Sequence, residues 1–195
     1  DVTGVQTCAL PIYAHLVKGL PDAGLRDSEQ LVNWARLVKS EAELVYMREA
    51  GALMTEVMNR AIAKARPGVP EYEVAAEVYQ SQVMGVDGKY GDYTSICPLI
   101  QVGEGTSTPH LTWSDKPLPN NTLISIELGA ARRHYHAPIT RTLHLGPPPE
   151  EVVRLADTIV EGTAAALEAA RPGATCEEVE ACWQKVLNQI GRAHV

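Results

Sequence analysis

Apolar positions along this chain mark out helices on both sides of a strand-rich middle. Ser40-x-x-Glu43 has the form of a capping box. After it, Leu44, Met47, Gly51, Met54, Met58 and Ala61 recur at helical spacing. Arg66-Pro67-Gly68 ends that helix, and Tyr72 to Val83 reads as a second one, with Val74, Ala75 and Val78 as its apolar side. Three strand-like segments follow, Ser95 to Val102, Thr122 to Gly129 and Tyr135 to Leu145. Pro149-Glu150-Glu151 then opens a helix through Val152, Leu155, Ile159 and Leu167, which Arg171-Pro172-Gly173 closes. Thr175 can cap a last helix through Val179, Trp183 and Leu187. Ahead of Ser40 the pattern predicts a helix over Tyr13 to Leu20, a short strand-like Gly24 to Asp27 and a helix over Ser28 to Val38.

The helical pattern occurs twice. Ala65-Arg66-Pro67-Gly68 matches Ala170-Arg171-Pro172-Gly173, and Glu73-Val74 and Ala76 match Glu178-Val179 and Ala181 at the same offset. Pro-Gly is a common helix terminator, but identities beyond the turn favour duplication. The expected fold class is α+β. Helices pack on an antiparallel sheet in two pseudo-symmetric halves, with a ligand site between the halves on the concave side of the sheet. The strands of one half are in this sequence.

The two ends read differently from the rest. Val2–Ile12 back-translates to a sequencing-library adapter strand, and Ile190–Val195 back-translates to the complement of a stretch within it. Residues 1–12 and 190–195 are therefore expected to be adapter-derived and are set aside from fold reasoning. Residues 13–27 read as the tail of a preceding N-terminal domain. Residues 28–189 read as a partial catalytic domain lacking its C-terminal half. With the ends set aside, Cys97, Cys176 and Cys182 remain, without the spacing of a disulfide framework or a CxxC metal motif. A reduced, cytoplasmic protein is the expectation, and Cys97 reads as a small buried hydrophobe. A formal charge of −7 argues against nucleic-acid binding. No apolar run is long enough to span a bilayer.

Candidate chemistry concentrates in Glu127 to Thr142. Glu127 is a lone carboxylate among Leu123, Ile124, Ile126 and Leu128. A buried acid there must be paired or have its pKa raised. It reads as a nucleophile, a general base or an anchor for a cation, or else as a structural partner of Arg132, Arg133 or Arg141. His110, beyond the Gly/Ser/Thr-rich loop Gly103 to Thr108, reads as general acid/base or as a surface loop histidine. His134 and His136 can share one face of a strand, but no further ligand stands at metal-site spacing. Tyr93, Tyr135 and Trp113 read as packing residues, although Trp113 can also stack on a delocalised cation.

These motifs resemble the pita-bread family of methionine aminopeptidase, prolidase, aminopeptidase P and creatinase. The metallopeptidases of that family carry D-x-G and then G-Y-x-x-D-x-T-R-T on a strand pair, with both Asp binding metal. Here Glu127 and Pro138 stand at the two Asp positions, ahead of Thr140-Arg141-Thr142. Proline has no donor side chain, so the resemblance points to the metal-independent, creatinase-like branch. Within it, Leu31-Val32-Asn33-Trp34, Lys39-Ser40, Tyr46 to Gly51, Gly91-Asp92-Tyr93, Pro109 to Trp113 and Tyr135 to Pro138 are similar to ectoine hydrolases. Residues 128–131 and 116–121 depart from that pattern.

The resemblance implies C–N hydrolysis of a cyclic amidine without metal or other cofactor. Glu127 and His110 would be catalytic, and Tyr93, Trp113, His136 and Arg141 would contact an ectoine-like small molecule. No nucleic-acid or membrane partner is implied, and the full-length protein is expected to be a homodimer. A metal-dependent Xaa-Pro peptidase and a catalytically silent binding module remain as alternatives.

Overall fold

A computed structural model describes residues 4–26 and 28–188. Residues 1–3 and 190–195 of the two adapter-like ends, and Asp27 of the short strand-like segment, lie outside the described residues. The chain forms two compact units, Asp1–Leu44 and Val45–Val195. In the first, α1 spans Gly4–Gly19 and α2 spans Leu31–Leu37. Residues 24–26 are not in a strand. The second unit holds most of α3 (Glu41–Lys64), then α4 (Glu71–Met84), β1 (Leu99–Val102), β2 (Thr122–Arg132), β3 (Tyr135–Leu145), α5 (Glu150–Ala169) and α6 (Cys176–Leu187).

Local chemistry explains the helix ends. Ser40 and Glu43 form the capping box: Ser40 N–H donates to Glu43 Oε2 (2.7 Å) and Glu43 N–H to Ser40 Oγ (3.4 Å). Thr175 and Glu178 repeat it at α6. The two Arg-Pro-Gly turns also match. Arg66 donates to the Ile62 carbonyl and Arg171 to the Glu168 carbonyl, each closing an open helix end. Gly68 and Gly173 then leave the turn at φ 85° and 93°, a region that costs a residue with a Cβ. The repeated helical unit of the sequence is thus a repeated conformation.

The sheet is antiparallel in the order β1-β2-β3. Ile124, Ile126, Leu128 and Ala130 on one face of β2 are fully buried. They form one core with Leu53, Met54, Val57, Met58 and Ala61 of α3 and Val74, Ala75 and Val78 of α4. Burying each leucine, isoleucine, valine or methionine of this core contributes roughly 1.5–3 kcal/mol. β1 starts at Leu99, four residues later than the pattern predicts, behind Pro98, which has no N–H for a ladder. Cys97, in the irregular segment before it, is exposed, contrary to the buried role expected of it.

A strap closes the first unit of the duplication. Gly68 N–H, Glu71 N–H and Tyr72 N–H donate to the carbonyls of Leu118, Lys116 and Ser114 (2.8, 3.0 and 3.1 Å). Buried Glu71 accepts the Ser114 N–H at 2.6 Å. The 114–118 backbone thereby does for α4 what a capping side chain does elsewhere, and Pro70 at the N-cap makes no cap bond.

Candidate active site

The β2–β3 hairpin sets the register of the site. Arg133 and His134 occupy its tip, both with positive φ (51° and 65°), as a two-residue primed turn requires. From that tip Gly129 pairs with Pro138, Glu127 with Thr140, Ile126 with Arg141 and Ser125 with Thr142. On the other side Leu99 faces Glu127 and Gln101 faces Ser125. Paired residues share a face and faces alternate along a strand. Gln101, Ser125, Glu127, Pro138, Thr140 and Thr142 therefore lie on the side away from the helices.

Main-chain polarity sharpens this picture. Ile100 N–H points away from β2 and donates to the Leu111 carbonyl (3.0 Å). Leu99–Glu127 and Gln101–Ser125 are thus the hydrogen-bonded pairs of the β1–β2 ladder. The backbone polar groups of Glu127, Gly129 and Ala131 point to the β1 side, where Gln82 Nε2 donates to the Gly129 carbonyl (2.6 Å) and Asp92 N–H to that of Ala131 (2.9 Å). Glu127–Thr140 is then a non-hydrogen-bonded pair of the β2–β3 ladder, the closer type for side chains. Gly129–Pro138 is another, so the ring nitrogen of Pro138 faces the outer edge of β3 and removes no β2–β3 bond.

Glu127 is not the buried acid its apolar neighbours suggested. Its side chain is 32% exposed, because the strand alternation puts it on the open face while Ile126 and Leu128 fill the core. Among the described residues His110 faces it, with Nε2 3.9 Å from Oε2, a separation that makes an ion pair only when the imidazole is protonated, and His110 is 71% exposed. None of the three arginines first considered takes that place. Arg132 pairs with Glu49 (3.0 Å), Arg133 lies over the Tyr90 ring, and Arg141 donates to the Thr140 carbonyl (2.8 Å). The last of these is paired with Ile126 on the opposite face of the sheet.

The remaining candidates scatter around this pair. His136 Nδ1 lies 2.9 Å from the His134 carbonyl, which only accepts, so Nδ1 carries the proton. Nε2 accepts from Ser95 N–H at 3.1 Å. Both ring nitrogens of His136 are thus engaged by backbone. Trp113 packs against the core and meets Tyr79 edge-on at 5.9 Å. Tyr93 is exposed and tilted against His134 at 5.4 Å.

Two neighbours of the pair escaped sequence reasoning. Thr140 was legible in principle, since counting back from the hairpin tip places it opposite Glu127. Gln101 is 5% exposed and stands as the polar residue in the run Pro98 to Val102.

The hairpin is held from behind by charge. Glu49 accepts from Lys89 (2.7 Å) and from Arg132 (3.0 Å), and the Arg132 guanidinium lies 4.8 Å above the Tyr90 ring. Hydrogen bonds from Lys89 and then Arg132 hold the Glu49 carboxyl below the usual glutamate range.

The residues of this chain around Glu127 do not by themselves make up a dinuclear metal site. Pro138 offers nothing at the second carboxylate position, and Glu127 is flanked in the ladder by Leu99 and Thr140. Among the described residues no three His, Cys, Asp or Glu side chains are grouped to hold an ion.

Helices on one face of a curved antiparallel sheet, with a helix–Arg-Pro-Gly–helix unit on either side of the strands, define the pita-bread class of hydrolase fold. The model of metallopeptidase family M24 matches residues 45–195, and the chain belongs to that family. An uncharacterized hydrolase/peptidase of Sinorhizobium fredii is 40% identical over 179 residues, covering 92% of this chain and 46% of that protein. The ectoine hydrolase of Halomonas elongata is 34% identical over 184 residues, covering 92% of this chain and 46% of its own length. Among solved structures, the prolidase of Pyrococcus horikoshii superposes with a TM-score of 0.80 at 27% identity, covering 93% of this chain and 51% of that one. The chain spans about half the length of the curated relatives it matches.

Proposed function

We propose that the protein carrying this chain hydrolyses a C–N bond of a cyclic amidine of the ectoine type, and does so without metal. The observation that carries this reading is the Glu127–His110 pair on the open face of the sheet, beside Pro138 where a second carboxylate would stand. The 34% identity to an ectoine hydrolase supports it.

An amidinium is a planar, delocalised cation, and the half-exposed Glu127 carboxylate complements its charge. In hydrolysis Glu127 accepts a proton from water as the water oxygen bonds to the amidine carbon. His110 delivers a proton to the ring nitrogen as the C–N bond breaks, which leaves an amide and a free amine. Positioned proton transfer of this kind typically contributes about 10²–10⁴-fold.

The test is ectoine turnover by the complete, metal-stripped protein, followed by NMR. Ring opening that persists under chelation is expected. Absence of ring opening, or activity that appears only with added Mn²⁺ or Co²⁺, would overturn the reading. A metal-dependent Xaa-Pro peptidase is the second reading, favoured by the likeness to prolidase. Stoichiometric metal by elemental analysis, together with Xaa-Pro cleavage, would select it.

A further inference from the structure

We infer that Gln101 is a positioning residue for His110, an inference that rests on the Glu127–His110 reading above. His110 sits at φ 61°, a left-handed conformation that residues with a Cβ avoid. Histidine enters this region more readily than most residues with a Cβ, and a bond to its backbone favours it further. Gln101, itself buried in β1, makes such a bond. With its amide in the orientation that satisfies both ends, Nε2 donates to the Ser125 carbonyl at 3.1 Å and Oε1 accepts from His110 N–H at 3.2 Å.

One carboxamide thus joins β2, two residues before Glu127, to the backbone of the residue that faces Glu127. The joint is short and buried, so it transmits the strand's position to the loop. On the far side Leu111 is fixed by Ile100 N–H, and Ser114 by Glu71 and α4. The Leu111 and Ser114 anchors set the path of the loop. Gln101 alone among these groups bonds His110 itself, and so sets where its ring projects. Without this bond the turn at His110 is held only through its neighbours, and the imidazole is expected to shift relative to Glu127.

The experiment combines Gln101→Met, which keeps length and volume but loses both bonds, with His110→Ala in the complete protein. Turnover of ectoine is measured for the parent, each single variant and the double variant, and folding is checked by thermal melts. Gln101→Met is expected to lower kcat by about tenfold or more with KM within about twofold, and to cost nothing further in the His110→Ala background. A purely structural role would cost equally in both backgrounds. Gln101→Glu is the second variant. It keeps the acceptor for His110 N–H while losing the donor to Ser125, and it is expected to retain more activity than Gln101→Met.

Parent-like kcat in Gln101→Met, or an equal loss in both backgrounds, would overturn the positioning role while leaving the pair intact. Full activity in His110→Ala would instead remove the functional reading on which it rests. Should Gln101→Met fail to fold, the decision passes to Gln101→Glu in the same two backgrounds. An equal loss in both again overturns the proposal.

Discussion

At the scale of single residues, Glu127 combines its proposed catalytic role with little structural commitment. It faces away from the core and its partner is an exposed imidazole. Glu127→Gln is therefore expected to abolish turnover while changing stability by no more than a typical surface substitution, about 0.5 kcal/mol. Paired activity and thermal-melt measurements check this, and a large loss of stability would return Glu127 to a structural role. Glu49 is the opposite case. Its carboxyl is held low by Lys89 and Arg132, so its contribution to stability is complete above the ordinary glutamate value of about 4.3 and is lost as pH falls through the depressed folded value. Melting curves of the parent and Glu49→Gln should be separated at neutral pH and converge in acid. Curves that stay equally far apart at every pH would show that the carboxylate's charge is not what stabilises the hairpin.

At the scale of elements, the repeated helical unit contains a place where no side chain fits. A Cβ at Gly162 of α5 would lie 2.6 Å from two ring atoms of Trp183 on α6. Gly162→Ala improves helix propensity by about 1 kcal/mol, yet the overlap with a large, rigid ring is expected to outweigh it. A net loss of about 1–3 kcal/mol is expected in chemical denaturation, and a stabilised variant would show that the two helices can separate freely. Element identity was legible because the signals were local: the capping box at Ser40, a capping threonine at Thr175, two Arg-Pro-Gly turns and long periodic runs. The burial of Glu127 was misjudged for a reason of the same kind. Apolar neighbours on both sides of a residue in a strand report on the opposite face, not on its own. The partners of Glu127 were only partly readable. His110 stood out by residue type, whereas Gln101 matters through one buried amide, which no spacing rule reveals. Arg141 looked suitable by charge but follows Thr140 directly, and one step along a strand exchanges the faces.

At the scale of the whole molecule, the apolar surface is unevenly covered. Val160 and Leu167 of α5 are 68% and 71% exposed, and Leu155 and Ile159 on the same helix are also exposed. A patch of this kind favours association. The 195-residue chain alone is expected to bind a hydrophobic dye and to scatter light above the mass of a monomer. Val160→Lys with Leu167→Lys should reduce both signals. A monomeric, dye-silent chain with a cooperative melt at high temperature would contradict this. The orientation of Pro138 bears on the same problem from the other side of the sheet. No other described strand pairs with the outer edge of β3. The missing N–H of Pro138 falls on that edge, between His136 and Thr140. A foreign strand adding to β3 would meet a gap in the donors it must bind. The residue that stands where the family resemblance puts a metal ligand thus also interrupts the donor row on the outer edge of β3.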